Sequence, residues 1–89
     1  MLQATTARYN LSATTLIHDR VGRVCRVSVT TAGTTVGAIH DANATGDAAA
    51  GNKIWTVPNT VGVYDLDWPV GDGIVFVPGT SQVVSVSYR

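Results

Sequence analysis

The sequence predicts an all-β fold, a small antiparallel β-sandwich of about seven strands with jelly-roll-like or barrel-like connections. Three observations carry this prediction. Short runs rich in Val, Ile and Thr alternate apolar with polar residues, and turn residues separate them. No stretch keeps a helical period, since the one alanine-rich segment, Ala42 to Asn52, is interrupted by Gly46 and Gly51. The end of the chain, Gly73 to Arg89, reads as a hairpin of two β-branched strands folded back through a turn containing Pro78 and Gly79.

Residues 1–12 are polar, with Tyr9 and Leu11 as apolar anchors, and read as an N-terminal arm or edge strand preceding one β-sandwich domain over residues 13–89. Ala13 to His18 forms a first strand, and Asp19-Arg20-Val21-Gly22 turns the chain. Arg23 to Thr30 is a half-buried strand in which Cys25, Val27 and Val29 fall in phase. Thr31 to Thr34 turns, and Thr35 to Asp41 returns. Ala42 to Asn52 is a surface loop with at most one helical turn, of a length that in compact domains is often functional.

Lys53 to Val57 is the next strand, ended by Pro58. From Val61 to Trp68, Tyr64, Leu66 and Trp68 share one face, and Val63, Asp65 and Asp67 the other. Trp68-Pro69 leaves the strand, because proline cannot donate to a central ladder. In the terminal pair Ile74 is in step with Phe76, and Val84, Val86 and Tyr88 share a face.

A domain of 89 residues buries only about 60–65% of its unfolded surface, so the core is thin. Hydrophobic residues make up 45% of the chain and charged residues only 13%, against a usual figure of about 25% for the latter. Such a surface suits coverage by other subunits. Six basic and six acidic side chains balance to zero with no run of either sign, which argues against nucleic acid as a partner. The first residues lack the basic start and apolar run of a signal peptide, and no segment approaches the roughly 20 apolar residues of a membrane span. The expectation is a cytoplasmically made protein with no membrane partner.

The residue types that carry chemistry are sparse, and each has a structural reading. Cys25, the one cysteine, reads as a small buried hydrophobe rather than a thiol activated by Arg23 and Arg26. Two echoes, His18-Asp19 and His40-Asp41, would supply mixed metal ligands if their strands paired, yet Asp at a strand end is an ordinary turn former. Asp65 and Asp67 resemble a carboxylate pair on one strand face but read as solvated. Asn10-Leu11-Ser12 and Asn43-Ala44-Thr45 match the glycosylation pattern and carry no meaning without secretion. Trp55 and Trp68 fill the core or a subunit interface, or line a sugar-binding surface. No catalytic, metal or cofactor residue is assigned, and the chain reads as a protein without enzymatic activity.

One resemblance covers most of the chain from Thr14 onward. Thr30-Thr31-Ala32-Gly33, Val36 to Asp41, Gly51 to Ile54, Gly62 to Pro69 and Pro78 to Tyr88 together resemble small tailed-bacteriophage virion proteins. The resemblance implies a β-sandwich component of the phage particle, most like a capsid decoration (cement) protein. It further implies a homo-oligomer, a trimer first, bound to the phage major capsid protein, made in the host cytoplasm and located in the virion. The alternative is a tail-associated structural or receptor/glycan-binding module acting through Trp55 or Trp68.

Overall fold

The computed structural model describes residues 6–89. Eight strands run in the order β1 (Thr6–Leu11), β2 (Thr15–His18), β3 (Gly22–Thr31), β4 (Gly37–His40), β5 (Lys53–Val57), β6 (Gly62–Val70), β7 (Ile74–Val77) and β8 (Val83–Tyr88). They make two four-stranded antiparallel sheets, β1-β8-β3-β6 and β2-β7-β4-β5, packed as a sandwich. The pairs β1·β8, β2·β7, β3·β6 and β4·β5 match strands equally far from the middle of the chain. This is one long antiparallel hairpin, rolled so that successive pairs fall in alternate sheets. The pairings β3·β8 and β4·β7 then close each sheet, which is the jelly-roll arrangement.

The alternation read from the sequence decides which side chains meet between the sheets. Val24, Val27 and Val29 of β3 and Val84, Val86 and Tyr88 of β8 face Ile39, Val57, Ile74 and Phe76 of the opposite sheet. Phe76 is the largest side chain sealed completely. Each such residue contributes about 1.5–3 kcal/mol relative to exposure, the main favourable term in so thin a core. Val75 is also buried, although its neighbours Ile74 and Phe76 point into the core. His40 lies opposite it in register, and His40 Nδ1 donates to Ala49 O (2.9 Å) and Asn52 Oδ1 (3.0 Å), which holds the 41–52 link against this outer face.

The β-sandwich and its jelly-roll alternative are as expected and the barrel alternative is not realised; the described residues form eight strands, with the expected N-terminal edge strand at Thr6–Leu11, paired with β8. Other expectations change. Residues 1–5 of the expected arm lie outside the described residues. The terminal pair is not a hairpin. β7 and β8 belong to different sheets, and Pro78–Gln82 arches between them. One-sided alternation fixes the face a strand buries, but it is blind to which strand lies beside it. The 42–52 loop holds two single 3-10 turns, Thr45–Asp47 and Ala50–Asn52.

β6 does not end at Trp68 but continues through Pro69, in register with Arg23, to Val70. It is an edge strand, where the missing N–H deprives no ladder. The even alternation of β3 and β6 is broken where the register slips between Val24 and Arg26. Val24 and Cys25 are consecutive and both buried there, and on β6 Asp67 adopts φ 50°. Asp65 and Asp67 therefore do not form a regular pair on one strand face.

Candidate functional site

The His-Asp echoes are placed on either side of β7, on β2 and at the end of β4, so their strands do not pair. His18 Nε2 lies 3.2 Å from Val21 O and its ring packs on Tyr88 at 5.1 Å between centroids. Asp19 is exposed and binds Arg20 at 3.1 Å, and that hydrogen bond and charge lower its pKa. Asp41 accepts from the backbone N–H groups of Gly71 (3.0 Å), Asp72 (2.8 Å) and Gly73 (3.2 Å). Burial pushes its pKa up, but the three donors together outweigh burial and hold it below the usual carboxylate value of 3.8. Each member of the echoes thus has a local structural partner. Among the described residues no group of three or more His, Cys, Asp or Glu side chains is placed to hold a metal ion. Cys25 is 1% exposed, in agreement with the buried reading.

Two features of the surface stand out. The first is an end of the sandwich without charge. The links 12–14, 32–36, 58–61 and 78–82 contain no Asp, Glu, Lys or Arg, and the rolled topology brings them to the same end. Thr34 N donates to Thr80 O (2.9 Å), Thr80 N to Thr35 Oγ1 (2.8 Å) and Asn59 Nδ2 to Gly33 O (3.4 Å). Gln82, almost completely buried, donates from Nε2 to Pro58 O (2.9 Å) and accepts from Gly79 N (3.0 Å) at Oε1. Gly79 sits so close to the Thr35 carbonyl that a Cβ would collide with it. This web fixes three loops as one surface, from which Val36 (52% exposed) and Val61 (61%) project, with Val63 (66%) just inside β6. The charged links lie at the opposite end, around Asp19, Arg20, Asp41, Asp47 and Asp72.

The second feature is an open groove of about 220 Å³ between β5 and β6, the edge strands on one side of the sandwich. Ile54, Trp55, Asp65, Leu66 and Trp68 line it. Trp55 is half-buried and packs on Tyr64 at 5.6 Å, while Tyr64 Oη donates to Thr60 O (3.0 Å). Trp68 is 54% exposed. Just before it, Arg23 Nη1 grips both Asp67 O (2.9 Å) and Asp67 Oδ1 (3.1 Å), and Arg26 Nε donates to Asp65 Oδ1 (2.8 Å). The structure brings Trp55 and Trp68 together as the sequence could not, and adds Ile54 and Leu66. The charge-free end was visible in the sequence only as four separate uncharged links, which became a surface once the topology was known. No protein-family model, curated protein or solved structure matches this chain.

Proposed function

We propose that this chain is a structural component of a tailed-phage virion, a decoration protein that binds the capsid surface as a homo-oligomer, a trimer first. The observation that carries the docking role is the charge-free, hydrogen-bonded loop end with its exposed Val36 and Val61. Interface cores are depleted in charged residues, and a surface that is already rigid loses little entropy on binding. The phage assignment itself rests on the resemblance described above. The jelly-roll fold is used by capsid and lectin domains alike, so it accommodates this role without selecting it.

In the proposed mechanism each subunit sets its uncharged end on the major capsid protein, and oligomerisation multiplies modest contacts by multivalency. The test is light scattering of the purified protein, followed by co-sedimentation with undecorated capsids. A trimer that binds to saturation is expected. The double variant Val36→Glu/Val61→Glu, at two exposed sites, should keep its thermal stability and bind at least about tenfold more weakly, or about 1.4 kcal/mol. Wild-type protein that stays in the supernatant would sink the capsid role, and a double variant that binds like wild type would sink the docking end.

The groove with Trp55 and Trp68 favours a second reading, a tail-associated module that binds receptor glycans. Its test is the groove's own ligand.

A further inference from the structure

Trp55 and Trp68, each suited by sequence to core, interface or sugar surface, take different roles in the structure. Trp55 is a half-buried wall, fixed by Tyr64 against the core cluster. Trp68 lies in register with the sealed Val24, yet about half of it faces solvent at the rim of the groove. Asp67 occupies the left-handed region (φ 50°), which Asp tolerates better than most residues other than glycine. The two Arg23 bonds hold that conformation and with it the ladder irregularity that re-aims the strand. The irregularity leaves the Trp68 indole at the rim of the groove, beside Trp55, Ile54 and Leu66, instead of sealing it in the core.

We propose that the groove between β5 and β6 binds a neutral hexopyranose unit of a glycan, with the apolar face of the ring stacked on Trp68 and hydroxyl groups bonded to Asp65. Charge selects the class of ligand. Asp65 is paired with Arg26 and Asp67 with Arg23, so the rim carries no net charge to attract a quaternary ammonium, a lysine side chain or a phosphate. Asp65 still has acceptor capacity, because a carboxylate offers about four lone-pair sites and Arg26 reaches only Oδ1. Size points the same way. At about 220 Å³ the groove is smaller than the roughly 300–1,000 Å³ of sites for drug-sized ligands, and it is open, so one ring enters while the rest of the glycan runs past. Ile54 and Leu66 supply the apolar floor under the ring.

This site deepens the glycan-binding reading and is independent of capsid docking, since it lies on the flank of the sandwich and not at its charge-free end. The test is native affinity electrophoresis of the full chain in gels containing a soluble neutral glucan, mannan, galactan or xylan, followed by titration of tryptophan fluorescence with the matching oligosaccharide. At least one polysaccharide should retard the wild type. Trp68→Ala, which removes a side chain from the rim, should melt within a few degrees of wild type and lose retardation at least about tenfold, close to the contribution of one aromatic stacking partner. Asp65→Asn should bind more weakly, and Tyr9→Ala, at an exposed site on β1, should bind as wild type. Three outcomes would overturn the proposal: no retardation by any of the four, retardation unchanged in Trp68→Ala, or saturable binding of tetramethylammonium in place of sugar. A fluorescence change that tracks protein concentration alone would identify the groove as a contact between copies of the chain, and would overturn it as well. Capsid co-sedimentation of Trp68→Ala separates the failure of this site from failure of the docking role.

Discussion

Asp41 ties three successive backbone N–H groups of the β6–β7 link to the end of β4. Its pKa is lower in the folded chain than in the unfolded one, so the unfolded state binds more protons as pH falls. The stabilisation is therefore present above the unfolded value of 3.8 and is lost as pH falls through the lower folded value. Asp19 acts in the same direction from an exposed position beside Arg20. Asp41→Asn keeps one acceptor oxygen and loses the charge and one bond. It is expected to cost about 1 kcal/mol at neutral pH, discounted for the solvent near these bonds, which is roughly 4–8 °C in melting temperature for a domain of this size. Thermal melts at pH 7 and near pH 3 check this, because the variant should lose less on acidification than wild type. An equal acid loss in both would move the effect to another carboxylate.

Among the elements, the four edge strands share one property. β2 is four residues long with a register irregularity, and β5 opens on Lys53. β1 carries Arg8 and, at Asn10, a left-handed residue. β6 carries Asp65, the Asp67 irregularity and Pro69. Each is a known means of keeping a sheet edge from pairing with another chain. The edges are thus poor surfaces for strand pairing with another chain. Asp65→Val/Pro69→Val should remove two of the three devices on β6, at the loss of an exposed ion pair worth up to about 1 kcal/mol. Its apparent mass in light scattering is expected to rise with concentration above that of the wild type. A mass that stays at the wild-type value would show that β6 is kept apart by other means.

At the scale of the molecule, charge is distributed unevenly between the two loop ends of the sandwich: the loops of one end have none, and those of the other hold Asp19, Arg20, Asp41, Asp47 and Asp72. If the uncharged end is the one that docks, capsid binding has little Coulomb energy to screen. Its affinity should change less than about threefold between roughly 0.05 and 0.5 M salt, a range over which exposed charge pairs are strongly screened. Co-sedimentation across that range measures it. A steep fall with salt would turn attention to the charged end.

The sequence by itself determined the class of fold, most of the strands and, away from the slip between Val24 and Arg26, the side that the core strands bury. Val27, Val29, Val84, Val86, Ile74 and Phe76 all face the core as their alternation predicted, because the period of two is a local property of extended backbone. It also determined that Cys25 is buried. Tertiary structure alone decided which strands are neighbours: β7 and β8, adjacent in sequence and joined by five residues, lie in opposite sheets. Apolar residues that face a common core satisfy the same burial from either sheet, so the choice is made by the packing of the whole chain. The same packing decided both candidate surfaces. Four uncharged links far apart in sequence became one end, and Trp55 and Trp68, thirteen residues apart, became two walls of one groove. A surface is a relation between segments, and alternation within a segment carries no information about it.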